Sequence, residues 1–335
     1  MDMKILEDIA ATCSAARPRI VLSEGEDPRV VAAATRAAAD DLAEIAVVAD
    51  PDVFAKLAKG MSGADRIAIH HPAASERLEH YTEVFHQLRA HKGVDEDAAR
   101  QVMLSPLGFA AMMVREGDAD GTIGGAVHTT ADTVRAALQI IGKAPDADVV
   151  SSFFLMILPA PLDRAVIFSD CGLIVEPTAD ELVNIATASA ASLKALTGLD
   201  PRVAMLSFST KGSVPAKAHG SLQRIQEALA VLSQRAPHLP VDGEMQFDAA
   251  IMPDVAASKA PESNVAGQAN VFVFPDLNAG NIGYKIAQRI GGAVALGPIL
   301  QGLAAPANDL SRGCSADDVY QMVAVTGAQA SAPGI

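Results

Sequence analysis

Short runs of aliphatic and β-branched residues alternate with longer amphipathic, alanine-rich stretches along nearly the whole chain. Residues 19–22, 45–49, 66–70, 121–125, 203–208, 270–275 and 293–296 are too short and too apolar for surface helices and predict buried strands. Helices are expected over 51–59, 76–91, 96–104, 106–116, 131–141, 220–234, 281–290 and 315–326. Asp27 is placed to cap a further helix that has Pro28 in its first turn, where the missing N–H is not needed. Thr178 with Glu181 has capping-box spacing and opens an alanine-rich helix to about Leu196. Pro106 separates two helices that would otherwise run together. Residues 149–158 and 165–169 predict neighbouring strands, readable as a hairpin. Strand–helix alternation of this kind builds parallel sheets with right-handed crossovers, so the expected class is α/β with mostly parallel sheets.

Length and composition narrow the function classes. At 335 residues the chain is about two domains long, and the loop KAPDAD at 143–148 is a natural boundary. The residues 329–335 (QASAPGI) read as a loose end. Half the residues are hydrophobic and Trp is absent, so the core must be aliphatic. The net charge of −14 and the lack of any Lys/Arg run speak against nucleic acid and against a cationic membrane-surface helix. No segment has the length of a membrane span or the pattern of a signal peptide, which points to the cytoplasm. Cys13, Cys171 and Cys314 lack zinc-ligand or disulfide-framework spacing, so no metal is expected.

Ligands of open α/β sheets sit beyond the carboxyl ends of the strands, and four post-strand segments carry the candidate chemistry. Gly124–Asp132 contains His128, Thr129 and Thr130 before a helix that carries Arg135. Ser207–Ser213 contains Ser209, Thr210 and Lys211 without P-loop spacing. Phe274–Lys285 clusters Asp276, Asn278 and Asn281. Asn308–Asp318 holds Ser311, Arg312 and Asp318. Each has a plain structural reading beside the functional one: a threonine cap, a polar loop, turn chemistry, and a Ser315–Asp318 helix cap. Arg89, in QLRAHKG, equally suits a helix C-terminus on dipole grounds. Signatures of α/β-hydrolases, dinucleotide folds and zinc hydrolases are missing.

Together and in order, LSEGEDPRV, LRAHKG at 88–93, GGAVHTTADTVRAALQ at 124–139, VAMLSFSTKGS at 203–213, DGEMQFDAA at 242–250 and the stretch from Lys259 to Ser315 resemble the phosphate acetyltransferase family. The resemblance covers essentially the whole chain. It implies two α/β domains with a cleft between them, the second (148–298) inserted into the first (1–147 and 299–335), and a homodimer. It implies transfer of acetyl between acetyl phosphate and coenzyme A, with coenzyme A as a substrate and no cofactor. Ser311, Arg312 and Asp318 match the family's catalytic Ser, Arg and Asp, and Arg89 and Arg135 match arginines assigned to coenzyme A or phosphate. The segments holding Ser209–Lys211, Asp276–Asn281 and Lys285–Arg289 match cleft loops. Residues 158–166 are shorter than in typical members, which leaves acyl preference open, and Ala279 stands where some have a Cys that the transfer does not need.

The chemistry asks for what these residues offer. A thiol near pKa 8.5 must pass its proton to a carboxylate near 3.9, a gap of roughly 6 kcal/mol that burial and a nearby arginine would narrow. A phosphate butyryltransferase, an acyl-CoA-sensing domain without activity, and a metal-dependent decarboxylating dehydrogenase are the alternatives on sequence grounds.

Overall fold

The structure is a computed structural model that describes residues 4–215 and 219–332. These fall into two compact units, one from Leu6–Pro145 together with the chain from Leu303 onward, the other from Asp146–Gly302.

The first unit opens with α1 (Lys4–Ala16), β1 (Arg19–Leu22), α2 (Pro28–Ala39), β2 (Glu44–Val48), α3 (Pro51–Leu57) and β3 (Ala68–His70). It continues with α4 (Leu78–Arg89), α5 (Glu96–Leu104), α6 (Pro106–Arg115), β4 (Gly121–Gly124) and α7 (Thr130–Ala136). The second unit comprises β5 (Ser151–Ile157), β6 (Ala165–Ser169), α8 (Ala179–Thr197), β7 (Val203–Leu206), α9 (Gly220–Arg235) and β8 (Val241–Met245). After these come α10 (Phe247–Ile251), α11 (Pro253–Lys259), β9 (Val271–Val273), α12 (Leu277–Arg289) and β10 (Val294–Gln301). The chain then adds β11 (Ala307–Asp309) and α13 (Ala316–Ser331) to the first unit.

In the first unit the sheet order is β11-β4-β1-β2-β3, and every pairing is parallel. Successive residues of β1, β2, β4 and β11 are buried, as expected where helices cover both faces. Asp27 caps α2 by accepting the N–H of Arg29, and Pro28 occupies the first turn. Strand order reverses between β1 and β4, which makes the carboxyl ends of these neighbours the natural ligand crevice of this sheet.

The second unit's sheet runs β10-β5-β6-β9-β7-β8. β5 and β6 form the expected antiparallel hairpin, and β6, β9, β7 and β8 are parallel. β10 is longer than its sequence suggests. It continues past Gly297–Pro298 and pairs antiparallel with β5, with a register shift between Leu296 and Ile299 that takes the proline out of the ladder. The end expected to be loose is helical as far as Ser331. Gln329 is buried and accepts the Asn308 side-chain amide at 2.6 Å, while residues 333–335 lie outside the described residues. Among the described residues no helix is long and apolar enough to cross a membrane.

Candidate active site

Three adjacent parallel strands, β1, β4 and β11, deliver the loops that hold Glu24–Arg29, Gly125–Thr130 and Leu310–Ser315. Side chains stitch these loops together. The buried carboxylate of Glu24 accepts the backbone N–H groups of Ala126 (2.6 Å), Val127 (3.0 Å) and His128 (2.8 Å), and lies 2.7 Å from His128 Nδ1. A carboxylate thus fills the small concavity of N–H groups that follows β4.

Arg29 uses all five of its donors. Nε and Nη2 grip Asp27 at 3.0 and 2.9 Å, and Nη2 also donates to the carbonyl of Ala126 at 2.8 Å. Nη1 donates to the carbonyls of Arg312 at 2.7 Å and Cys314 at 3.1 Å. The hydrogen-bonded ion pair holds the Asp27 carboxyl below its usual range and the Arg29 guanidinium above its own. Burial pushes the Cys314 thiol up, so this cysteine is the less nucleophilic for its place in the loop.

The loop after β11 leaves Ser311 and Arg312 exposed. The Arg312 guanidinium makes no hydrogen bond or ion pair with any described residue, although its carbonyl is fixed by Arg29. Asp318 sits in the first turn of α13 in a capping box. Its Oδ2 accepts the N–H and hydroxyl of Ser315 at 2.8 and 2.9 Å, and the Ser315 hydroxyl accepts the N–H of Asp318 at 3.1 Å. Oδ1 accepts no hydrogen bond from a described residue. The helix-cap reading of Asp318 is therefore present in the structure, and it leaves one carboxylate oxygen unengaged.

Thr129 caps α7 through the N–H of Asp132 at 3.2 Å. The Thr130 hydroxyl donates to Asp309 at 2.6 Å, which ties α7 to β11. Arg135 is exposed and paired with Asp132 at 2.8 Å; donors on Thr129 and Arg135 hold that carboxyl below its usual range. Arg89, the last residue of α4, is half-buried, and its Nε is buried without a partner among the described residues. His128, Thr130, Ser311 and Arg312 thus belong to one bonded cluster, whereas Arg89 and Arg135 make no hydrogen bond to it.

In the second unit, Ser209, Thr210 and Lys211 follow β7. The Ser209 hydroxyl donates to Glu244 at 2.9 Å, and Thr210 exchanges hydrogen bonds with Gln246, so both hydroxyls shape their own loop. Burial pushes the Glu244 carboxyl up, but donors on Gly212, Gln226 and Ser209 outweigh it and leave the group below its usual range. Lys211 is exposed and paired with Asp242. Asp276 caps α12, in accord with its turn reading. Asn278 is exposed on α12, Asn281 donates to the carbonyl of Cys171 at 3.0 Å and accepts Lys285 at 2.7 Å, and Arg289 is exposed in the last turn. Among the described residues no group of three His, Cys, Asp or Glu side chains is arranged to hold a metal ion.

Residues 4–327 match the family model described as Phosphate acetyl/butaryl transferase. The chain belongs to the phosphate acetyl/butyryl transferase family. It is 52% identical to the phosphate acetyltransferase of Paracoccus denitrificans over 330 residues, covering 98% of this chain and 99% of that one. Among solved structures it resembles a phosphotransacetylase from Streptococcus pyogenes (TM-score 0.91, 41% identity, 98% of this chain and 99% of that chain). It also resembles the EutD phosphotransacetylase from Staphylococcus aureus (TM-score 0.85, 44% identity, 97% and 99% covered). The α/β fold with mostly parallel sheets is that of these phosphotransacetylases.

Sequence reasoning did not single out Glu24, Arg29 or Asp309 in this member of the transferase family. The first two lie within LSEGEDPRV, where only Asp27 carries a local signal, that of a helix cap. Their partners are distant in the chain: Glu24 reaches across 102 residues to Ala126, and Arg29 across 283 to Arg312.

Proposed function

We propose that the loops after β1, β4 and β11 are the acyl-transfer site of this phosphate acetyltransferase. The reaction moves an acetyl group between acetyl phosphate and coenzyme A. In our reading the coenzyme A sulfur attacks the acetyl carbonyl directly, in a complex that holds both substrates. Asp318 accepts the thiol proton on the oxygen that Ser315 leaves free, the S–C bond forms, and the C–O bond breaks as phosphate leaves with the bonding pair and takes the proton back from Asp318. Arg312 favours the thiolate by its charge, and the Ser311 hydroxyl donates to the carbonyl oxygen as it gains negative charge. Arg89 and Arg135 take phosphate groups of coenzyme A. Transfer of this kind uses no metal or redox cofactor, coenzyme A being itself a substrate.

The observation that carries the reading is Arg312. It stands exposed at the carboxyl edge of a parallel sheet and has no side-chain partner among the described residues of a chain of net charge −14. Its backbone is nonetheless held at 2.7 Å by Arg29. A guanidinium fixed by its backbone and open at its side chain is presented to an anion. The test is thioester formation from coenzyme A and acetyl phosphate, followed by ultraviolet absorbance. Arg312→Ala is expected to lower kcat about 100-fold or more, the scale of losing one aligned transition-state donor. Undiminished turnover in that variant would remove Arg312 from the chemistry. Preference for butyryl phosphate over acetyl phosphate would move the chain to the longer-acyl branch of the family.

We also propose a cytoplasmic homodimer. The three cysteines are unpaired, which suits a reducing compartment. Ile282, Ile286 and Ile290 are 58%, 53% and 84% exposed at four-residue spacing along α12 and its cap, which suits a covered helix face. Sedimentation equilibrium returning a monomer mass would reject the dimer.

A further inference from the structure

Asp309 ends β11 two residues before Ser311 and is fully buried. Oδ2 accepts the Thr130 hydroxyl at 2.6 Å, whereas Oδ1 is buried with no partner among the described residues. That oxygen faces the Gly125 turn so closely that a Cβ added to Gly125, whose φ is +100°, would collide with it. The same turn is pinned to the β11 loop by the N–H of Leu310, which donates to the carbonyl of Gly124 at 2.7 Å. A neutral amide would fill this place without stranding a charged oxygen, so the carboxyl is not explained by packing alone. Burial pushes it up to about 6, against the pull of the Thr130 hydroxyl and of the nearby Thr133 hydroxyl, whose own bond goes to the Thr129 carbonyl, and with a further push from Glu24. The other charged groups on neighbouring elements are engaged elsewhere: His128 on Glu24, Asp132 with Arg135 on α7, Asp317 with Arg36, and Asp318 with Ser315 on α13. β4 carries no charged residue.

We propose that Asp309 is a positioning residue for acyl transfer, its carboxylate holding Thr130, and with it the start of α7, in register with the Ser311–Arg312 loop. The inference rests on the reading of that loop as the transfer site. The ionised carboxylate makes the stronger bond to Thr130, so the site is well ordered when Asp309 is charged and loosens when it takes up a proton.

The test compares kcat/KM for acetyl phosphate in wild type and Asp309→Asn from pH 5 to pH 8. Both chains are assayed at each pH, so ionisation of the substrates cancels in their ratio. Asn keeps the shape and can accept the Thr130 hydroxyl, but it stays neutral, like the protonated acid. Wild type is expected to exceed the variant about tenfold at pH 8 and to converge to within about twofold at pH 5, the charged part of one hydrogen bond being of this size. Thr130→Val removes the donor from the other side and is expected to show the same narrowing ratio. A ratio that stays constant with pH, or an Asn variant as active as wild type at pH 8, overturns the proposal. Should Asp309→Asn fail to fold, the Thr130→Val profile decides by the same criteria. A wild-type chain that forms no thioester from any acyl phosphate sinks the functional reading and this inference with it. An active wild type with a flat ratio sinks the inference alone.

Discussion

Removing Arg29 should disable the site without touching a substrate. Its guanidinium holds the carbonyls of Ala126, Arg312 and Cys314 and both oxygens of Asp27. Hydrogen bonds from a charged donor contribute roughly 1.5–3 kcal/mol each. The side chain is 31% exposed, so water re-solvates much of what Arg29→Ala leaves behind. Counting about a third of the three carbonyl bonds gives a loss of about 1.5–3 kcal/mol, or roughly 10- to 150-fold in kcat/KM. Because every donor is already used within the protein, the loss should fall on kcat, with KM for coenzyme A within about threefold of wild type. Arg29→Lys keeps the charge but cannot span four separated acceptors from one nitrogen, so it should recover only part of the activity. The assay is steady-state thioester formation with each substrate varied in turn, beside a thermal melt. A variant with wild-type kcat and a raised KM would place Arg29 on a substrate. Full activity in Arg29→Lys would show that the multi-point grip is dispensable.

Two further outcomes follow from buried or partnerless groups. Arg89→Ala should raise KM for coenzyme A about tenfold or more, since one charged hydrogen bond to a phosphate is worth at least about 1.4 kcal/mol; an unchanged KM removes Arg89 from that role. Asp309→Asn should be relatively more stable as pH rises. A carboxyl raised from 3.8 to about 6 on folding contributes stability below pH 3.8 that is lost as pH climbs through 6. The loss is about 3 kcal/mol in all, roughly half of it between pH 5 and pH 8. Urea midpoints at those two pH values should show the variant gaining on wild type, and a gap that does not widen contradicts a strained carboxylate.

The α/β alternation was legible because its signals are local. Asp27–Pro28 and Thr178–Glu181 each mark a helix start by a cap, and Pro106 marks a boundary by its missing N–H, with no knowledge of the rest of the chain. Strands without an apolar run were not legible. β8 (VDGEM) and β11 (AND) are rich in polar residues, and β11 is buried because Asn308 and Asp309 find partners on α13 and α7. β10 was read only as far as Leu296, since a proline argues against a strand unless a register shift accommodates it. At the site, Ser311, Arg312 and Asp318 were visible as a polar cluster after a strand. The capping box shows why local reading could not choose a role for Asp318: one oxygen serves the helix and the other does not. Glu24 and Arg29 were hidden for the opposite reason, since their meaning lies in loops more than a hundred residues away.

The position of β11 at the edge of the first sheet has a consequence for how the protein is made. A ribosome releases the chain from its N-terminus, so β1 to β4 emerge early and can pair while the second unit is still being synthesised. Until residue 309 has left the exit tunnel, β4 has an open flank and Asn308, Asp309 and the Arg312 carbonyl have yet to reach Thr326, Thr130 and Arg29. The nascent protein can therefore hold most of its core before it holds a working site, and a chain truncated ahead of β11 should accumulate as a compact, inactive species that presents a strand edge to chaperones or to its own copies.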